Sequence, residues 1–208
     1  MTEVGIEHQR LAVGSTGTLS NGYWGMVGLI ATEAALFVYL LFAYYYHAVQ
    51  PHEGAWPPGG IPSLWFAIPQ TIILLISSAV MWWAERGTKR GVRREQLTGL
   101  GLTLLIGAGF IVLEAFEWES KNFTLSSGAY GSLFFTIGGF HLGHVVTGML
   151  LLIAVMVWSL LDYFGPARSG PVSITAIYWH FVVAVWLAVF FTIYITPRLG
   201  LLWHTAQP

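Results

Sequence analysis

Residues 134–149 read FFTIGGFHLGHVVTGM, from Phe134 to Met149, and lie inside a run from Asn122 to Leu161 without Asp, Glu, Lys or Arg. That run exceeds the ~20 apolar residues needed for one membrane span. His141 and His144 are three apart, so a helix carries both imidazoles on one side. Gly138, Gly139, Gly143 and Gly148 leave notches where a second helix can come close. Histidines interleaved with small residues predict a packed face turned toward other helices.

The remaining composition supplies those helices. The chain has 208 residues, 55% hydrophobic and 9% charged, with a mean hydropathy of +0.65. Soluble domains carry about 25% charged residues, so an integral membrane protein is expected. A net charge of −1 argues against nucleic acid as a partner. Without cysteine, neither disulfides nor thiolate metal sites are available. The opening MTEVGIEHQRLAVGSTGTLSNG lacks the basic start and short apolar core of a cleaved signal, and reads as a polar tail over 1–22.

Five spans follow: 23–47, 63–84, 97–117, one within 128–161, and 171–196. Pro/Gly-rich QPHEGAWPPGGIP, from Gln50 to Pro62, separates the first two. Pro69 falls in the first turns of the second span, where a missing N–H costs least. ERGTKRGVRREQ, from Glu85 to Gln96, is the one strongly charged segment and reads as a loop. The fold class is all-α, a polytopic membrane bundle over 23–198 with a short tail at 199–208. Basic residues favour cytoplasmic loops. With Arg86, Lys89, Arg90, Arg93 and Arg94 inside, Arg10 and Arg168 join them, leaving only Lys121 and Arg198 outside. The expected N-terminus is therefore cytoplasmic and the C-terminus on the outer face.

At about 1.5 Å per residue, Glu33, His141, His144 and His180 all fall in one slab of the cytoplasmic half of a ~30 Å core. An isolated charge there costs at least ~2.5 kcal/mol, so such groups normally face the bundle and find partners. Three readings of this intramembrane cluster stay open. It is a hydrogen-bonded lock between helices, a proton-handling site, or a metal site of one carboxylate and three imidazoles. No metal is expected, and no catalytic residue. At the outer end of the third span, LEAFEWE places Glu114 just below the boundary, within reach of water or a partner. Glu117 and Glu119 read as solvated residues at the helix exit. Trp179 and Trp186, seven apart in the fifth span, read as packing residues. Arg86, Lys89, Arg90, Arg93 and Arg94 set the topology and are candidates to hold anionic lipid headgroups.

Several motifs together resemble subunit III of the haem-copper oxidases, of the cytochrome c oxidase type. They are Trp24–Gly25–Met26 with Glu33, LEAFEWESKNFTLSSGAYGSLFF from Leu113 to Phe135, GGFHLGHVVTG from Gly138 to Gly148, and YWHFVVAVW from Tyr178 to Trp186. The chain resembles the family's short five-helix form. Glu33 matches its intramembrane carboxylate, Glu117 its Ala-x-Glu-aromatic acid, His141 and His144 its paired histidines, and His180 the one in Trp-His-Phe. Leu142 and Gly143 reverse the family's usual order, and Val183–Ala184 stand where it usually reads Asp-Val.

The resemblance implies a non-catalytic subunit of a proton-pumping terminal oxidase that stabilises the catalytic subunit and supports sustained proton uptake. Haem and copper would lie on partner subunits, chiefly subunit I, with subunit II and other respiratory subunits also in the complex. Phospholipid would be bound, and the location would be a bacterial inner membrane. Two other functions stay open: a subunit III-like partner of a nitric oxide reductase, and a stand-alone transporter of protons or a small anion that uses Glu33.

Overall fold

The computed structural model describes residues 20–50, 56–58 and 60–199. Arg10, most of the two predicted tails, and residues 51–55 and 59 of the first predicted loop lie outside that set. Among the described residues the protein is all helix. α1 is Asn21–Val49, α2 Ala67–Arg90, α3 Arg93–Glu119 and α4 Ala129–Leu160. After a 3₁₀ turn at Pro166–Arg168, α5 (Gly170–Phe190) runs through a π-helical turn, Phe191–Ile195, into a last turn at Thr196–Leu199. All five spans are long and apolar enough to cross a membrane.

The helix ends have local causes. Ser20 caps α1 by accepting from the Tyr23 N–H at 3.3 Å, which satisfies one of the donors a helix start leaves open. The segment predicted as a charged loop is mostly helix. α2 continues past Ala84 to Arg90, and α3 begins only three residues later at Arg93. Glu85 and Lys89 pair one turn apart at 2.6 Å, and Lys89 and Arg90 place positive charge on the negative helix terminus. Gly91 then takes φ +74°. Its N–H reaches Thr88 O at 3.1 Å while Val92 N–H reaches Gly87 O at 2.9 Å, the paired bonds of a Schellman stop. In the last span, Pro197 removes an N–H and crowds the carbonyl four residues back. The helix widens into its π turn just before it.

Small residues set the tightest packing, chiefly between α2 and α3. A Cβ built on Gly99 would lie 2.6 Å from Ala84 Cβ, and one on Gly87 2.6 Å from Glu95 Cβ. α5 packs against α1, α2 and α4 and supplies the largest buried side chains, Trp179 and Trp186. The Trp179 ring fits between Gly107 and Gly148, whose added Cβ atoms would each come within 2.9 Å of it. Its indole N–H donates to Ser77 Oγ at 3.0 Å, and that of Trp186 donates to Thr71 Oγ1 at 2.9 Å. Both tryptophans thus tie α5 to α2, in keeping with their reading as packing residues.

Candidate functional site

Glu33 of α1 and His144 of α4 meet across the bundle with Oε2 and Nε2 3.0 Å apart. The other ring nitrogen, Nδ1, lies 2.7 Å from Phe140 O one turn back. A carbonyl only accepts, so Nδ1 carries a hydrogen and the Nε2–Oε2 bond holds one further proton. That proton sits on the imidazole, giving an ion pair, or on the carboxyl, giving two neutral groups. Either state is neutral as a whole, which suits an apolar slab.

This pair stands in the wall of an open groove of about 640 Å³ between α1 and α4. Its floor and sides include Leu29, Phe140, Gly139, Gly143, Thr147 and Tyr178. The Glu33 side chain is 31% exposed there. Phe37 holds the imidazole edge-on at 5.0 Å, which limits its rotation. Gly139 and Gly143 do not serve close helix contact as expected. An added Cβ at Gly143 meets nothing within 4 Å, and one at Gly139 only Trp118 at 3.9 Å. These two glycines keep the groove open, whereas Gly138 and Gly148 make the tight contacts.

The other two histidines of the predicted cluster bond elsewhere. His141 is fully buried, with Nε2 3.2 Å from Val182 O on α5 and the ring packed on Phe110 and Trp186. Three residues of helix turn the two rings by about 60°, so His141 enters the core while His144 faces α1. His180 of α5 is half-buried and bonds Ser78 Oγ of α2 through Nδ1 at 2.8 Å. Glu33 and His144 are therefore brought together, and His141 and His180 each link α5 to a different neighbour.

The acids at the C-terminal end of α3 depart from their sequence reading. Glu117 is not solvated: it is 1% exposed. Lys121 Nζ lies 2.7 Å from its Oε1, one turn on, and the Tyr194 hydroxyl donates to the same oxygen at 2.6 Å. Both donors reach Oε1, while Oε2 is buried without a hydrogen-bond partner among the described residues. Glu114, 4% exposed, accepts from Gln70 Nε2 at 2.9 Å. Glu119 is exposed, as expected. Gln70, Lys121 and Tyr194 were missed as partners. The signal for Gln70 was a lone amide in an otherwise apolar span, whereas Tyr194 looked like one more aromatic of the outer belt.

The five basic residues at the end of α2 and the start of α3 are largely matched within the chain. Lys89 pairs with Glu85, Arg90 with Glu95, and Arg93 with Asp162 while also donating to Leu160 O. Arg86 lies over the Trp82 ring at 5.2 Å, a contact in which the ring face attracts the cation. The Arg94 side chain has no hydrogen bond or ion pair among the described residues.

A family model described as cytochrome c oxidase subunit III matches residues 9–197. Curated proteins named cytochrome c oxidase subunit 3 are similar over 177 residues, which cover 82% of this chain and 68% of each relative. Those of Latimeria chalumnae and Osphranter robustus are 36% identical, and that of Scyliorhinus canicula is 35% identical. A match that runs through all five spans, together with the motif order along them, leads to one conclusion: the chain belongs to the cytochrome c oxidase subunit III family.

Proposed function

We propose that this chain is an accessory subunit of a proton-pumping haem-copper terminal oxidase. It packs beside the catalytic subunit, supports its sustained proton uptake, and itself carries no redox centre. Haem, copper and the four-electron reduction of oxygen belong to partner chains, with subunit I as the main contact. The observation that carries this reading is the family match over 9–197 joined to the Glu33–His144 pair. That pair joins a carboxyl group to an imidazole at 3.0 Å and opens to a groove. Such a group can exchange protons with its surroundings but has no means of moving electrons. His141, His180, Glu114 and Glu117 each bond a neighbouring helix, as expected of residues that hold a bundle together.

In this reading the α2–α3 turn is cytoplasmic, and the membrane is the inner membrane of a bacterium. The groove takes phospholipid chains, and Arg94 and Arg86 are the cations best placed to meet anionic headgroups. The proposal is tested with Glu33→Ala in the assembled complex. Sustained turnover should fall while the haem spectra stay unchanged. Lost haem signals in an intact complex, or turnover equal to wild type, would refute the role assigned to the pair.

A further inference from the structure

The outer end of the bundle contains a second pair of acids that the Glu33–His144 site does not use. Glu114 and Glu117 lie three apart on α3, so their carboxyl groups share one helix face. Both are nine-tenths buried or more. Among the described residues one cation serves them, Lys121, and its ammonium lies on Glu117. The other charged and titratable groups of this end do not neutralise Glu114. Tyr44 of α1 and Tyr130 of α4 pack on each other, and Tyr194 of the last span donates to Glu117. Arg198 is engaged with the Tyr194 and Pro62 carbonyls, and Glu119 is exposed.

Gln70 supplies the independent observation. Its amide N–H donates to Glu114, yet its Oε1 accepts no hydrogen bond among the described residues and is fully buried. Through the N–H that lies syn to its oxygen, a primary amide can meet both oxygens of one carboxyl group. A carboxylate has nothing to donate to it, whereas a carboxylic acid does. An acid and an amide can then close a ring of two hydrogen bonds, O–H to Oε1 and N–H to the carboxyl oxygen. Gly138 makes room for this carboxyl group: an added Cβ there would sit 3.2 Å from Glu114 Oε1.

We propose that Glu114 and Glu117 form a proton-holding site at the outer end, with Glu114 a carboxylic acid paired to Gln70 and Glu117 a carboxylate paired to Lys121 and Tyr194. One proton serves two carboxyl groups and one ammonium, so the site is neutral. Its route to the outer aqueous phase is a cleft of about 560 Å³ lined by Lys121, Tyr130, Ser63, Asn122 and Ser127. Lys121 both lines that cleft and touches Glu117. The site lies at the opposite end of the spans from the α2–α3 turn, apart from the Glu33–His144 pair.

Infrared spectroscopy of the protein, purified in lipid nanodiscs with the subunits that accompany it, tests this directly. The wild-type minus Glu114→Gln spectrum should contain one carbonyl stretch of a protonated carboxylic acid, shifted on transfer to heavy water. Glu117→Gln combined with Lys121→Met, which removes both charges of the ion pair, should keep that absorption. Glu114→Gln exchanges one neutral group for another and should assemble normally. A difference spectrum with carboxylate bands in place of the acid band would overturn the proposal. A band that does not shift in heavy water would refute exchange through the cleft, and failure of Glu114→Gln to assemble would contradict the neutral acid. Gln70→Leu keeps Glu114 and provides a second reading: loss of its amide partner should move the acid absorption to higher frequency, and an unmoved band would contradict the acid–amide ring.

Discussion

Replacing Glu117 by leucine removes the acceptor for two donors at once. Lys121 Nζ and the Tyr194 hydroxyl both bond Glu117 Oε1, at 2.7 and 2.6 Å. The Lys121 side chain is only 13% exposed, so its ammonium would remain largely out of water without a counter-charge. Breaking one side of a buried ion pair costs about 3–5 kcal/mol, because the remaining charge stays desolvated. The Tyr194 hydroxyl would be left unpaired as well, a loss of about 1–3 kcal/mol on its own. The two losses share one carboxylate oxygen and do not simply add, so Glu117→Leu should destabilise the protein by about 4 kcal/mol. Glu117→Leu with Lys121→Met removes both charges, and buried pairs replaced by apolar residues are often neutral or better. The double variant should therefore recover most of the loss. Reversible unfolding in mixed micelles, read for the four proteins of a double-mutant cycle, measures both quantities. A cost below about 1 kcal/mol for Glu117→Leu, or a double variant no more stable than the single one, would refute the buried ion pair.

Three other predictions concern packing, the candidate site and topology. Gly99→Ala places a methyl group 2.6 Å from Ala84 Cβ and should cost about 1–3 kcal/mol in the same assay. Gly143→Ala meets open groove and should stay within about 0.5 kcal/mol of wild type; equal costs at the two positions would contradict the packing. His144→Gln can still bond Glu33, whereas His144→Leu leaves a carboxyl group in the groove wall without its partner. Assembly yield should fall further for leucine, by the equivalent of about 1–3 kcal/mol, and equal yields would show that the bond holds nothing together. For topology, a cysteine at Arg90 should resist a membrane-impermeant thiol reagent applied from outside, while one at Ser126 should react. The reverse labelling would invert the orientation.

The five spans were legible because the apolar runs are long and each lies between polar or Pro/Gly-rich segments. The α2–α3 boundary was not, since charge content suggested a loop. Local pairing of Glu85 with Lys89, and the stop at Gly91, instead let the helix use that charge. The existence of buried polar groups was equally readable from the cost of isolated charge in a membrane. Their partners were not, because helical spacing says which residues share a face and says nothing of what that face meets. His141 and His144 illustrate this: three residues apart, they bond α5 and α1 respectively. Glu117 is the clearer failure. Its burial depends on Tyr194, 77 positions later, a contact set by how the last span packs.

The proposed function requires this chain to work as one subunit beside a haem-bearing catalytic chain. A mild-detergent pull-down through a tag on this chain, followed by native mass measurement and an optical spectrum, measures that association. Oxidase subunits should come with it in fixed ratio, along with haem absorption that a tag on the catalytic subunit also recovers. An isolated oligomer of this chain, free of haem and of other subunits, would contradict the claim and favour a transporter using Glu33.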